Sequence, residues 1–146
     1  RCLVFGARRD GLEVIGVVLN CGDWFGEAAR LMDRAFAEYT WVELLPDGAD
    51  MGEIAVYGGE RDTARLVLQG ALAGPLRLDE AATVRLEIDD AAQAPLPSGA
   101  RLGTAYMQAD GETICARPVV LSEPARRAPS AVTRALRLWT LIKGVP

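Results

Sequence analysis

Residues 3–19 read LVFGARRDGLEVIGVVL, two apolar runs that enclose the turn sequence Arg9-Asp10-Gly11. An Asp-Gly pair between two such runs is typical of a tight antiparallel hairpin. Neither run alternates cleanly between apolar and polar residues. Strands that are apolar on both faces belong in a sheet covered on both sides, and one hairpin with one helix cannot supply that cover. We therefore expect residues 2–39 to need partners that lie upstream in a longer protein, or to self-associate.

The segment after this hairpin has helical periodicity. Asp23 is a suitable N-cap, and apolar residues then recur at spacings of three and four. This apolar stripe consists of Phe25, Ala28, Ala29, Met32, Ala35, Phe36 and Tyr39. Glu27 and Arg30 fall largely on the other side, where they can form an ion pair about one turn apart. The pattern predicts a helix that covers one face of the hairpin.

Strand periodicity replaces helical periodicity after the turn sequence Pro46-Asp47-Gly48. Runs of strand character lie at residues 53–57, 63–69, 83–89, 101–109 and 112–121. In the third run Val84, Leu86 and Ile88 share one face, which predicts a half-buried strand. Short strands separated by frequent turns predict a small antiparallel sandwich.

Several of these segments resemble one family, the serine D-alanyl-D-alanine carboxypeptidases or low-molecular-weight penicillin-binding proteins. Residues 1–19 and the helix through Phe36 look like the segment that follows the Lys-Thr-Gly motif in that family. Similarity to the family's β-rich C-terminal domain is carried by residues 54–59, 94–103 and 117–121. The resemblance spans residues 1–123 and rests on the order of the elements more than on any single motif.

The resemblance implies an α+β fold in three parts. Residues 1–45 would be the C-terminal hairpin and helix of a transpeptidase-like catalytic domain, residues 46–123 a small antiparallel β-sandwich domain, and residues 124–146 a basic amphipathic tail. The parent protein would hydrolyse the terminal D-Ala-D-Ala bond of peptidoglycan stem peptides through a serine acyl-enzyme that penicillins trap. It would act outside the cytoplasm, at the outer face of the cytoplasmic membrane. The alternative is a stand-alone secreted β-domain that binds cell-wall or protein partners.

The residues that this chemistry needs are absent from the sequence. No Ser-x-x-Lys pair, Ser-x-Asn motif or Lys-Thr-Gly motif occurs, and the only lysine is Lys143. The three serines, Ser98, Ser122 and Ser130, have no lysine at helical spacing to act as their base. There is no histidine, so neither a Ser-His nor a Cys-His arrangement can form within the chain. We expect the chain itself to be non-catalytic, with no substrate-binding or metal-binding residues and no cofactor.

Composition narrows the class of partner. The 146 residues carry a net charge of -4, and half of them are hydrophobic, which indicates a globular chain and argues against nucleic acid as a partner. The three cysteines, Cys2, Cys21 and Cys115, lack the Cys-x-x-Cys spacing of a zinc site. Cys2 and Cys21 lie near the open end of the expected hairpin. They either form a disulfide bridge or remain free buried thiols, which are common core residues.

The tail after Glu123 contains no acidic residue. From Ser130 onward its apolar residues follow one helical stripe, and its cations lie beside that stripe. The candidate membrane-contact residues are Arg134, Leu136, Arg137, Trp139, Ile142 and Lys143. A basic amphipathic helix with a tryptophan is typical of a segment that lies on a membrane surface, and similar helices tether many members of the resembled family. The alternatives are a helix docked on its own domain and an unstructured terminus.

Overall fold

The computed structural model describes residues 2–129, which form ten strands and one helix. In chain order the elements are β1 (Cys2–Arg9), β2 (Leu12–Leu19), α1 (Trp24–Glu38), β3 (Tyr39–Leu45), β4 (Asp50–Tyr57), β5 (Thr63–Leu68), β6 (Leu72–Arg77), β7 (Ala82–Ile88), β8 (Ala91–Gln93), β9 (Arg101–Ala109) and β10 (Glu112–Leu121). The β-rich character expected from the sequence is confirmed.

The strands form three sheets. β1 pairs with β2, β3 pairs with β6, and the remaining strands form a six-stranded sheet in the order β7-β9-β10-β5-β4-β8. β8 runs parallel to β4, whereas the sequence pattern predicted an antiparallel assembly. The described residues divide into two compact units, one of residues 2–47, 70–86 and 105–117 and the other of residues 48–69, 87–104 and 118–129.

Helix α1 begins where the sequence predicts. The carboxylate of Asp23 accepts a hydrogen bond from the backbone N–H of Gly26 at 3.1 Å, which satisfies one of the free donors of the first turn. Glu27 and Arg30 form the predicted ion pair. The stripe is rotated, however, because Ala28 is buried while the side chain of Phe25 is 66% exposed. The inward-facing positions therefore begin at Trp24 and recur about every four residues, and Phe25 is not one of them.

The unit that contains β4 and β5 has a well-packed core. Leu66 and Leu68 of β5 are almost completely buried, and they pair with Leu121 and Val119 of β10, which are also buried. Ile54 and Val56 of β4 complete the apolar layer, since alternate residues of a strand point to the same face.

The other unit has a separate core around β6 and the middle of β9 and β10. Leu72 and Met107 are fully buried. Gly74 of β6 is required at its position, because a Cβ atom there would lie 2.7 Å from the Cγ2 atom of Ile114. The small residue lets β6 approach the side chains of β10 closely.

Strand β7 is less buried than its alternating pattern predicts. Val84 and Leu86 are exposed and only Ile88 is half-buried. β7 lies at the edge of the six-stranded sheet, where fewer neighbouring side chains cover it. The pattern identified the strand but overestimated its burial.

Candidate interaction surface

The β1–β2 hairpin presents one apolar face to solvent. Its register pairs Cys2 with Leu19, Val4 with Val17 and Gly6 with Ile15, so the side chains of these residues point to the same side of the hairpin. We call this set the outer hairpin face. Three of its side chains are among the most exposed of the large apolar ones in residues 2–129, at 70% for Val4, 73% for Ile15 and 68% for Leu19. Exposed apolar faces of this kind are typical of interaction sites, which makes this face a candidate.

The opposite face of the hairpin is covered by α1. Leu12 and Val18 are buried there, as is Ala28 of the helix. The ring of Phe5 occupies the space over Gly16, where a Cβ atom would lie 2.2 Å from the ring. One helix thus covers one face and leaves the outer hairpin face open, as the lack of alternation in the sequence predicts.

The edges of the hairpin are open as well. Within residues 2–129 the sheet contains only β1 and β2, so the outer edge of each strand has no neighbouring strand. Unpaired edges carry N–H and C=O groups that recruit another strand. The outer hairpin face and the two edges together form the candidate interaction surface.

Charged residues surround this part of the molecule. Arg8 and Glu13 lie opposite one another near the turn and form a salt bridge at 2.7 Å, which ends the apolar part of the outer hairpin face. On α1, a hydrogen bond from Arg34 to Glu38, assisted by the charge of the carboxylate, raises the pKa of the Arg34 guanidinium above its ordinary value. Both pairs are largely exposed, so their contribution to stability is small.

The described serines hold the backbone rather than forming a nucleophilic site. The hydroxyl of Ser98 donates to the carbonyl of Ser122 at 3.0 Å, and the hydroxyl of Ser122 donates to the carbonyl of Arg65 at 3.1 Å. Each hydroxyl is engaged with a carbonyl and not with a basic side chain. This arrangement does not activate a nucleophile.

The cysteines Cys2, Cys21 and Cys115 are free thiols in the structure, but they are not the buried core residues that the second alternative expected, since Cys2 is exposed and Cys21 and Cys115 are half-buried. Across residues 2–129 no three potential metal ligands of the His, Cys, Asp or Glu type lie close enough to hold an ion. In the same part of the chain, α1 is neither long nor apolar enough to span a lipid bilayer.

The candidate membrane-contact residues lie outside the described part of the chain. These are Arg134, Leu136, Arg137, Trp139, Ile142 and Lys143. The members of the outer hairpin face, in contrast, were not singled out by the sequence pattern, which indicated only that residues 2–39 associate. Placing the turn at Asp10-Gly11 fixes the register, and the register then separates the two faces.

Comparison with known proteins identifies the β-rich part. Residues 39–125 match the family described as Penicillin-binding protein 5, C-terminal domain, and this match covers more than half of the chain. The chain belongs to this family. The matched region starts at Tyr39, the first residue of β3, so the hairpin and α1 lie outside it.

One curated relative extends over the hairpin as well. D-alanyl-D-alanine carboxypeptidase DacF of Bacillus subtilis (strain 168) is 24% identical over 150 residues, which cover 97% of this chain and 39% of the relative. The chain therefore spans about two fifths of the length of this relative. Together with the family match, this similarity confirms the resemblance drawn from the sequence.

Two solved structures share the fold. Penicillin binding protein 5 from Haemophilus influenzae has 22% sequence identity and a TM-score of 0.70, and 86% of this chain matches 39% of that chain. A peptidoglycan synthesis regulatory factor (PBP3) from Streptococcus pneumoniae has 19% sequence identity and a TM-score of 0.68, and 86% of this chain matches 39% of that chain. At these identities the likeness establishes the fold alone.

Proposed function

We propose that this chain is the C-terminal part of a D-alanyl-D-alanine carboxypeptidase that acts on peptidoglycan stem peptides. The observation that carries the proposal is the extent of the similarity to the Bacillus carboxypeptidase. It covers 97% of the chain, so it includes most of the hairpin and helix as well as the residues of the family domain. The hairpin and the β-rich part therefore follow one another here as they do in that enzyme.

The chain by itself is non-catalytic in this proposal. Neither Ser98 nor Ser122 has a lysine beside it, and both hydroxyls are bonded to carbonyl groups. The nucleophile, its base and the Lys-Thr-Gly motif belong to another part of the protein, which reacts through a serine acyl-enzyme. The enzyme works outside the cytoplasm, where peptidoglycan lies.

The hairpin and α1 are the terminal piece of the catalytic domain in this proposal. The exposed outer hairpin face and the two open edges support this assignment, because strands that are apolar on both faces belong inside a covered sheet. Neighbouring strands of the catalytic domain pair with β1 and β2. Other elements of that domain cover Val4, Ile15, Val17 and Leu19. The β-rich part then acts as a spacer or support rather than as a reaction centre.

A fluorescent penicillin tests the catalytic assignment. The product of the complete reading frame that contains this chain is expected to form a stable adduct at a serine outside residues 1–146. Residues 1–146 expressed alone are expected to stay unlabelled under the same conditions. Peptide mapping of the adduct locates the serine. An adduct at Ser98, Ser122 or Ser130, or no adduct with the complete product, would contradict the proposal and favour a stand-alone binding domain.

Residues 130–146 tether the enzyme to the membrane surface in this proposal, which rests on the sequence pattern. Arg134, Arg137 and Lys143 lie beside an apolar stripe, and each cation near an anionic surface contributes about 1 kcal/mol. The full chain is expected to sediment with phosphatidylglycerol vesicles more than a chain that ends at Ala128, and added salt is expected to weaken this binding. Equal sedimentation of the two chains, or binding that ignores salt, would indicate that the tail is not a membrane anchor.

A further inference from the structure

The hairpin with α1 is joined to the β3–β6 sheet at one junction. α1 ends at Glu38 and β3 begins at Tyr39, so no linker residue separates the helix from the strand. The N–H of Leu78, just beyond the end of β6, donates to the carbonyl of Glu38 at 3.0 Å. Both connections lie at the same place in the fold. Rotation at such a place needs only a change in the backbone angles of one or two terminal residues, which is how hinges work.

The hairpin and α1 are tied to each other, so they can move only as one body. Leu12, Val18 and Ala28 are buried between them. The guanidinium group of Arg9 lies over the ring of Phe36, 4.6 Å from its centroid, which fixes the turn end of the hairpin to the last part of the helix. A contact between this body and β3 would therefore restrain the hairpin and the helix together.

Trp41 is placed to make that contact. The alternation of β3 puts Tyr39, Trp41 and Glu43 on one face, and Trp41 lies opposite Pro75 of β6. The side chain of Trp41 is 43% exposed, so it does not belong to the buried core of its unit. An indole on the outer face of a strand is available to an element outside the sheet.

The element that the indole meets is the hairpin turn. A Cβ atom built on Gly11 would lie 3.3 Å from the Cδ1 atom and 3.4 Å from the Cγ atom of Trp41. Gly11 also has a φ angle of +85°, which glycine adopts without strain. Glycine thus allows both the turn and the close approach of the indole. We call the packing of Trp41 on Gly11 the turn contact.

We propose that Trp41 is a positioning residue, and that the turn contact holds the hairpin with α1 in one orientation relative to the β3–β6 sheet. Relative motion is the default for parts of a chain that share only a small interface, and a tryptophan supplies a large rigid surface against such motion. Bending at the junction of Glu38 and Tyr39 would pull Gly11 away from the indole. For the complete carboxypeptidase, and so resting on the proposed function, the turn contact fixes the direction in which β3 and β6 leave the catalytic domain.

Two equivalent glycines provide a matched pair of variants that test the contact. Gly111 follows Asp110 as Gly11 follows Asp10, and its φ angle of +83° imposes the same strain on an alanine. A Cβ atom on Gly111 meets nothing within 4 Å, whereas a Cβ atom on Gly11 presses on Trp41. In the ¹⁵N-labelled chain, Gly11→Ala is expected to shift the indole N–H signal of Trp41, and Gly111→Ala is expected to leave it in place. No shift with Gly11→Ala, or equal shifts with both, would show that the turn contact does not form.

Residual dipolar couplings of the backbone N–H groups test the orientation. All chains for this measurement carry Val17→Glu, which puts a charge on the outer hairpin face and limits self-association. With Trp41 present, one alignment tensor is expected to fit the couplings of β1, β2 and α1 together with those of β3 and β6. In Trp41→Ala, the couplings of the hairpin and helix are expected to fall about twofold relative to those of the sheet, because the two bodies then move separately.

Tyr57→Ala is the control for loss of an aromatic side chain, since Tyr57 is 65% exposed and belongs to the other unit. It is expected to leave the common tensor intact. Each body must still fit a tensor of its own, which shows that it is folded; if one does not, Trp41→Leu, which keeps apolar volume, replaces Trp41→Ala with the same expectation. A common tensor that survives loss of Trp41, or one that already fails with Trp41 present, would overturn the proposal. The chain alone is measured, so the result is independent of the enzymatic assignment, which the penicillin experiment tests.

Discussion

The hairpin with α1 and the β-rich part that follows it differ in how they bury apolar residues. Only three buried hydrophobic residues, Leu12, Val18 and Ala28, precede Tyr39, whereas seventeen of the twenty in residues 2–129 follow it. The large exposed apolar side chains in residues 2–129 are divided evenly, with six before Tyr39 and six from Tyr39 onward, although the first part is much shorter. The β-rich part therefore buries most of its large apolar side chains, whereas the hairpin with α1 leaves a larger share of them exposed to solvent.

The strongest test of this difference is one substitution made in both parts. Leu66 in β5 is 1% exposed, and Leu66→Ala is expected to lower the free energy of unfolding by about 2–5 kcal/mol, since it leaves a cavity. Leu19 in β2 is 68% exposed, and Leu19→Ala is expected to change the free energy of unfolding by less than about 0.5 kcal/mol. Urea unfolding followed by circular dichroism measures both, at a low micromolar concentration where the chain is not expected to associate. A large loss from Leu19→Ala would mean that the outer hairpin face is already covered in the isolated chain.

Self-association of the isolated chain is a second test of the difference between the hairpin with α1 and the β-rich part. Burying a few hundred square ångströms of the outer hairpin face at ~25 cal/mol per Å² favours association by several kcal/mol, of which the entropy of association removes a part. We expect a dimer or larger oligomer at high micromolar concentration, measured by light scattering.

The matched variants for this prediction both introduce a glutamate at an exposed valine. Val17→Glu on the outer hairpin face is expected to weaken association about tenfold, equivalent to about 1.4 kcal/mol. Val84→Glu, on β7, is expected to leave it unchanged, since Val84 lies outside the hairpin. A clean monomer for the unaltered chain would show that the outer hairpin face does not drive association.

Sequence periodicity predicted the elements with strong local signals. The hairpin follows from Asp10-Gly11, and both Asp10 and Gly11 adopt the positive φ angles that such a turn requires. The last two strands follow in the same way from Asp110-Gly111, where both φ angles are again positive. These turns fix the chain direction locally, so no knowledge of distant residues is needed.

Strands β3, β6 and β8 were not predicted, because their stability comes from distant partners. β3 lies in a segment for which the sequence pattern predicted no strand, yet it pairs with β6 about thirty residues later. β6 contains Gly74 and Pro75, which disfavour a strand when the sequence is considered alone. β8 has only three residues and exists through its parallel pairing with β4.

The candidate surfaces were predicted only in part for the same reason. Association through residues 2–39 was expected, but the separation of the two faces needed the register of β1 and β2.

The smallest expected effect concerns how α1 is held on the hairpin. Asp23→Ala removes the N-cap bond to Gly26 and is expected to destabilise α1 by about 1 kcal/mol. Asp33→Ala is the matched control, because Asp33 is exposed in the interior of the helix, where alanine favours helix formation. Amide hydrogen exchange is expected to become faster over residues 24–38 in Asp23→Ala only. Protection at Leu66, Leu68 and Val119 is expected to stay unchanged, because their core does not depend on the helix cap. Equal loss of protection at both places would mean that the hairpin with α1 and the β-rich part unfold as one cooperative unit, which would remove the distinction between them.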